Sequence, residues 1–261
     1  MRFLILTEGA RTEINIFQKV LERYGLSVIR LSRIESFTEP ESLHLLGTEL
    51  ERDRTSVLMA QAPRNRLKDL LFYYKRNNID LNLVFGSRDR IFNGIFLLFD
   101  IDHTDNATLE EIYSWHNDET DSGLLLISSP CIEILSEPGR TEELRAEHLK
   151  EYKRERNNFF SDVLRLGINA EEYIAENFEK LAVSYLDQNF NDFKDANVMN
   201  HPESVIAKVN ELNTRSEEEV LYRYFTTVVY VLIACIFGFN AEIDSYQRLR
   251  DFLLSHIAQE V

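Results

Sequence analysis

The stretch NGIFLLFDID, residues 93–102, decides the fold class of this chain. Residues 93–99 form its clearest apolar run, which is typical of a strand buried on both faces of a parallel sheet. The run ends directly in Asp100 and Asp102. Side chains two residues apart in an extended chain share one face of the sheet, and this spacing favours joint binding of a ligand. The stretch therefore predicts a buried strand with two acids at its carboxyl end.

Similar apolar runs occur elsewhere before residue 140. We predict further strands at residues 2–6, 26–31 and 123–127 and helices at residues 13–23, 63–78 and 109–116. Alternation of this kind is typical of an α/β sheet with crossover helices. Beyond residue 140 the sequence becomes charged and helix-forming, without a further convincing strand. The sequence therefore predicts an α/β domain at residues 1–140 and an all-helical domain at residues 141–261.

The net charge of the chain limits its partners. The 261 residues include 44 acidic and 29 basic side chains, which gives a net charge of −15. A surface of this charge repels a phosphate backbone and disfavours general electrostatic binding of nucleic acid. Nucleic-acid chemistry would therefore require a local basic groove or bound cations.

The cysteines and the apolar segments indicate the compartment. Cys131 and Cys235 lie far apart in the sequence, so neither a disulfide framework nor a thiolate zinc site is predicted. Glu8 and Arg11 interrupt the first apolar run, which is too short for a secretory leader. The fifteen apolar-rich residues 225–239 fall short of the about 20 that span a bilayer and predict a buried core helix. We therefore expect a cytoplasmic protein with no membrane segment.

Three acidic elements follow the carboxyl ends of predicted strands. They are Glu8 after the first strand, Asp100 and Asp102 after the stretch above, and Glu133 after the strand at residues 123–127. In an open parallel sheet, binding crevices form at this edge. Carboxylates gathered there repel each other by roughly 4 kcal/mol per pair. A divalent cation relieves this repulsion, and oxygen ligands favour Mg²⁺ or Mn²⁺ over Zn²⁺.

Two of these motifs carry a family resemblance. The sequence EGARTE at residues 8–13, together with the later DxD pair, resembles the Toprim domain of topoisomerases, primases and OLD-type nucleases. With SPCIE at residues 129–133, the chain is most similar to the RloB-like Toprim branch of bacterial anti-phage and abortive-infection loci. The resemblance covers about residues 1–140. It implies a Rossmann-like parallel sheet flanked by helices and Mg²⁺-dependent phosphodiester chemistry.

The resemblance also implies roles for the matching acids. Glu8 would act as general acid/base or metal ligand, and Asp100 and Asp102 would bind Mg²⁺ (or Mn²⁺); these three would form the catalytic set. Glu13 and Glu133 would complete a second metal site. Two such ions can clamp an in-line phosphoryl displacement.

Neighbouring residues leave alternatives open. An acid often occupies the position of Thr12 in Toprim proteins, so either Thr12 or Glu13 could face the metal. Asp105 extends the second motif to a DxDxxD run, while His103 is interpreted as a solvent-facing loop residue. Cys131 is predicted to be a small buried residue and not a nucleophile.

Three basic residues are candidates for contact with substrate phosphate. Arg64 and Arg66 lie on the predicted helix at residues 63–78, and Lys153 lies in the basic run at residues 150–156. A solvated helix face is the alternative interpretation of both groups.

The leading functional hypothesis is a Toprim nuclease that cleaves DNA or RNA, including tRNA, as an effector of bacterial anti-phage defence. A second hypothesis is a Toprim-derived regulatory subunit controlled by an ABC-type ATPase, because the chain has no Walker A sequence of its own. A phosphohydrolase of small substrates is a third. The apolar helix at residues 225–239 is a candidate homodimer or partner interface.

Overall fold

The computed structural model describes the chain in segments and divides it into two compact units. The units are Met1–Phe99 with Ala107–Leu126, and Asp100–Asn106 with Ile127–Val261. The expected domain boundary near residue 140 stays a prediction. The described residues are 1–8, 12–31, 56–61, 92–101, 106–115, 117–118, 123–129, 131–136, 144–156, 166–167, 173, 180, 182–183, 221–222, 225–226, 228, 230–237, 248 and 250–255.

A largely parallel sheet forms the centre of the fold. Its strands are β1 (Arg2–Thr7), β2 (Ser27–Leu31), β3 (Ser56–Gln61), β4 (Gly94–Asp100), β5 (Asn117–Asp118) and β6 (Gly123–Ser129). They lie in the order β2-β3-β1-β4-β6-β5. Strand β1 pairs in parallel with β3 and β4, and β2 pairs in parallel with β3. The predicted α/β class with a parallel sheet is therefore confirmed.

The apolar runs form the strands for the reason that the sequence suggests. Phe3 through Leu6 in β1 and Ile95 through Phe99 in β4 are buried, and the rings of Phe3 and Phe96 stack with centroids 6.1 Å apart. Burial on both faces makes a continuous apolar run favourable in a central strand. Sequence reasoning missed β3, whose run SVLMAQ shows no alternation and follows a charged segment.

Two helices accompany these strands, α1 (Thr12–Arg23) and α2 (Asn106–Trp115). Gly25 ends α1 with a φ of 74°, a left-handed conformation that glycine adopts without strain. The Gly25 N–H donates to Glu22 O at 3.0 Å and the Leu26 N–H to Leu21 O at 3.2 Å. These two bonds form a Schellman motif, which confirms the predicted helix stop. The predicted helix at residues 63–78 lies outside the described residues.

The region after residue 140 corrects the all-helical prediction. Strand β7 (Leu144–Arg145) pairs antiparallel with β8 (Leu221–Tyr222), and β9 (Phe225–Thr226) pairs antiparallel with the end of β6. Helical residues 149–156, here called α3, and α4 (Tyr230–Phe237) also belong to this region. Aromatic and β-branched residues are common around residues 221–229, and such residues favour strands when a partner strand is present.

Helix α4 confirms the buried-core interpretation for residues 230–237, whereas residues 225–226 form strand β9 instead of the start of the predicted helix. Every described side chain in α4 is buried in the single chain: Tyr230, Val231, Leu232, Ala234 and Cys235. These side chains pack within the chain, and a homodimer through this helix stays a prediction. Within the described part of the chain, no helix is long and apolar enough to cross a membrane.

Candidate active site

Asp100 is held at the carboxyl end of β4 by a long-range hydrogen bond. The backbone N–H of Ile132 donates to Asp100 Oδ1 at 2.9 Å. The next residue, Ile101, is fully buried, and its N–H donates to Ser128 O at 3.0 Å. Asp100 itself remains partly exposed. Hydrogen bonds therefore hold the strand end at both Asp100 and Ile101, and the residue Asp100 is only partly buried.

Glu133 lies one residue beyond Ile132, in a short 3₁₀ helix that spans Ile132–Ser136. The Ile134 N–H donates to Cys131 O at 3.2 Å and forms the first turn of that helix. The Glu133 side chain is partly exposed, but its Oε2 atom is buried. The turn after β6 therefore carries a second, half-buried carboxylate.

The Cys131 thiol shows that these two carboxylates share one environment. Burial raises the pKa of Cys131 well above its ordinary value, and the charges of Glu133 and Asp100 raise this pKa further. A hydrogen bond between the thiol and the Glu133 side chain acts in the same direction. A fully buried thiol with a raised pKa stays protonated at neutral pH and is a poor nucleophile. This agrees with the interpretation of Cys131 as a small buried residue.

Lys153 brings a positive charge to the same place. Among the described residues, Lys153 lowers the pKa of Cys131, so its positive charge lies within electrostatic reach of the thiol. On α3, Leu149 and Tyr152 are buried and Lys153 is half-buried, so these residues form the inner face of the helix. Asp100, Cys131, Glu133 and Lys153, all in the second unit, are called the Asp100 cluster below.

The basic run on α3 separates into two groups. Lys150 and Arg154 are exposed, and Arg154 Nη2 pairs with Glu151 Oε1 at 2.8 Å on the solvated side. Arg156 is half-buried and lies over the ring of Tyr152 at 5.6 Å from its centroid, which is a cation–π geometry. The solvated-face interpretation therefore applies to Lys150 and Arg154 and not to Lys153.

The acids of the first unit follow β1. Glu8 is the next residue after that strand, and its N–H donates to Leu98 O at 3.3 Å. Its side chain is partly exposed with Oε2 buried. Glu13 lies in the first turn of α1 and is 8% exposed, where its negative charge complements the positive end of the helix dipole. The side chain of Thr12 is outside the described residues, and the choice between Thr12 and Glu13 stays open.

The remaining predicted site residues lie outside the described part of the chain. They are Asp102, His103, Asp105, Arg64 and Arg66. Among the described residues, no three His, Cys, Asp or Glu side chains gather as a metal site. The donor chemistry of Asp100 and Glu133 fits a hard divalent cation, since both are carboxylates. A complete Mg²⁺ site with Asp102, and the joining of Glu8 to it, stay predictions.

Sequence reasoning also missed a pair of buried hydroxyl groups beside this region. Ser128 Oγ and Thr226 Oγ1 lie 2.9 Å apart, and both side chains are almost fully buried. The residues are separated by 98 positions in the sequence, so no local pattern could have indicated the contact.

Comparison with models of known protein families, with curated proteins and with solved structures finds no match for this chain.

Proposed function

We propose that the protein is a metal-dependent phosphodiesterase that cleaves nucleic acid. The observation that supports this proposal is the Asp100 cluster, in which two carboxylates and one ammonium group lie within electrostatic reach of the buried Cys131 thiol. Carboxylates suit a divalent cation, and an ammonium group suits a phosphate oxygen. The acidic motifs that resemble the Toprim domain, at Glu8 and at Asp100 and Asp102, agree with the same chemistry.

The candidate site residues have different roles in the proposed reaction. Asp100, Asp102 and Glu133 would hold Mg²⁺ or Mn²⁺, which when bound neutralises phosphate charge and acidifies water. Lys153 binds a nonbridging phosphate oxygen and orients the scissile group. The family resemblance assigns proton transfer to Glu8, which would accept a proton from the attacking water or return one to the leaving oxygen. Water attack breaks the P–O bond, and the proton that water loses is balanced by the one that the leaving oxygen gains.

The net charge of −15 shapes the proposed substrate contact. Long-range repulsion disfavours nonspecific binding of a polyanion, so phosphate must be recognised locally. Lys153, together with Arg64 and Arg66 as further proposed contacts, would supply that local positive charge. Action in anti-phage defence, control by an ABC-type ATPase and the choice between DNA and tRNA are parts of the proposal that follow from the family resemblance alone.

Incubation with labelled DNA and with total tRNA, in Mg²⁺, Mn²⁺ or EDTA, tests the proposal. We expect metal-dependent cleavage that Asp100→Asn reduces about 100-fold or more, because the carboxylate that holds the cation is lost. Asp251→Asn is the matched control, since Asp251 is 62% exposed on a helix, beside Arg250. Glu8→Gln tests the proton-transfer role against Glu147→Gln, at a 67% exposed acid.

Two outcomes contradict the proposal. One is the absence of any cleavage that depends on metal and on Asp100, with or without an added ATPase partner. The other is hydrolysis of small phosphodiesters or phosphomonoesters alone, which favours the small-substrate phosphohydrolase. Biological activity that survives both Asp100→Asn and Glu8→Gln favours the regulatory subunit.

A further inference from the structure

We infer that Thr226 is a positioning residue for the Asp100 cluster: through the hydroxyl of Thr226, β9 holds the end of β6 and thereby fixes Asp100 and the turn that carries Glu133. The catalytic consequence rests on the proposed function. The structural part does not, because it concerns hydrogen bonds within the second unit alone.

Strand β9 is too short to be stable by its ladder alone. Among the described residues, its ladder with β6 consists of Thr226 opposite Ser128 and Phe225 opposite Ser129. Short strand pairs without packing or side-chain support are marginal in water. The side chains of Ser128, Ser129 and Thr226 are 1%, 0% and 3% exposed, so water does not stabilise them. The pairing therefore depends on contacts made by buried hydroxyl groups.

The Thr226 hydroxyl uses all of its hydrogen-bonding capacity. Its Oγ1 donates to Ile127 O at 3.3 Å and accepts from the Val228 N–H at 3.2 Å. The Ser128 hydroxyl lies 2.9 Å away and donates to the second lone pair of the same oxygen. A hydroxyl has one donor and two acceptor sites, so these three bonds account for the whole group. Removal of this oxygen leaves Val228 N–H and Ser128 O–H buried without that partner.

A short path of hydrogen bonds joins this hydroxyl to Asp100. Ser128, which bonds to Thr226 through its side chain, accepts the Ile101 N–H through its carbonyl at 3.0 Å. Ile101 is bonded covalently to Asp100, and Asp100 Oδ1 accepts the Ile132 N–H at 2.9 Å. Displacement of Ser128 therefore disturbs the backbone beside Asp100. It also disturbs the turn that sets the distance between Asp100 and Glu133.

The same segment connects the cluster to helix α4. The Val231 N–H donates to Val228 O at 3.1 Å, and Val228 and Tyr230 are each 1% exposed. Because Val228 also donates to Thr226, the start of α4 and the end of β6 are fixed by one residue. Helix α4, which the sequence indicates as a candidate interface, therefore begins in the same segment that holds the end of β6 at the candidate site.

Amide hydrogen exchange measured by NMR on the full chain tests the positioning role. In Thr226→Val we expect the Ile101 and Ile132 amides to exchange about tenfold faster, because two buried polar groups lose their partner. The amides of β1 and β3 should keep their wild-type rates. Thr226→Ser retains the hydroxyl and should restore protection. Ser255→Ala, which removes an exposed hydroxyl that donates to Phe252 O at 2.7 Å, is the matched control.

Two exchange results overturn the inference: unchanged protection of Ile101 and Ile132 in Thr226→Val, or an equal rise at all amides including those of β1 and β3. If Thr226→Val does not fold, Ser128→Ala removes the partner hydroxyl instead. Wild-type protection of Ile101 and Ile132 in Ser128→Ala overturns the inference as well.

Kinetics give the second readout. If the wild type cleaves nucleic acid, kcat should fall about tenfold in Thr226→Val, KM should stay within about twofold, and Thr226→Ser should restore kcat. A KM effect alone, or no rescue by Ser, contradicts the positioning role. If the wild type cleaves nothing, the proposed function fails, while the exchange rates of Ile101 and Ile132 still decide the inference.

Discussion

The paired strands β1 and β4 and the turn after β6 are held by different forces. Within β1 and β4, buried apolar side chains such as Phe3 and Phe96 dominate, each worth about 1.5–3 kcal/mol in transfer free energy. In the turn, directional bonds such as Ile132 N–H to Asp100 Oδ1 fix the backbone, and a bond of this kind to a charged group contributes about 1.5–3 kcal/mol net. The stability of the strands therefore depends on buried side-chain volume, while the geometry of the turn depends on particular polar atoms.

The largest expected effect tests the apolar region. Phe96→Ala removes a fully buried ring that stacks on Phe3 and should lower the free energy of unfolding by about 3–5 kcal/mol. Urea denaturation followed by circular dichroism measures this loss. Leu254→Ala, at a 38% exposed helical residue, is the control and should cost less than about 1 kcal/mol. A loss below about 1 kcal/mol in Phe96→Ala would mean that volume does not decide the stability of these strands.

An intermediate effect tests the polar region through activity. Lys153→Ala should lower kcat/KM about 10- to 100-fold, because a charge-assisted hydrogen bond to phosphate contributes about 1.5–3 kcal/mol. Lys150→Ala is the matched control, since Lys150 lies one turn earlier on α3 and is exposed. Its kcat/KM should stay within about twofold of the wild type, because a rim charge contributes little. Urea midpoints of both variants should remain close to that of the wild type.

Equal losses of activity in Lys153→Ala and Lys150→Ala would contradict the distinction between the two faces of α3. That result would mean that the helix acts only through its total charge. A fall in the urea midpoint of Lys153→Ala, with kcat/KM unchanged in the folded fraction, would mean that Lys153 only balances the charges of Asp100 and Glu133.

The difference between buried apolar runs and long-range polar contacts also explains which features the sequence could predict. Strands β1, β4 and β6 follow from apolar runs, because burial depends on residue type along a local stretch. Asp100 and Glu133 follow from their position after such strands. The bond between Asp100 and Ile132 spans 32 positions and has no local pattern. Strand β9 was missed for the same reason, since two residues form a strand only when β6 supplies the partner.

The side of α3 that carries Lys153 is an intermediate case. Helical spacing groups Leu149, Tyr152 and Lys153, and the buried apolar pair identifies the inner face. The sequence alone named Lys153 within a basic run that also contains Lys150, and it left a solvated helix face as the alternative interpretation of that run. Asp102, Arg64 and Arg66 stay predictions, because they lie outside the described residues.

The smallest expected effect concerns Gly25, at the end of α1, where we expect backbone geometry to decide the free energy of unfolding. It adds a third contribution to the comparison of buried volume with polar contacts. Gly25 has a φ of 74°, and a Cβ added there would meet no atom within 4 Å. Gly25→Ala should therefore cost only the left-handed strain, about 1 kcal/mol, with no cost from a clash. Gly25→Asn should cost less than Gly25→Ala, since Asn adopts this conformation more readily. A urea midpoint that is highest in the wild type, lower in Gly25→Asn and lowest in Gly25→Ala supports this account. Equal midpoints for wild type and Ala would show that the Schellman motif of α1 does not depend on glycine, and a larger loss for Asn than for Ala would point to side-chain size instead of φ.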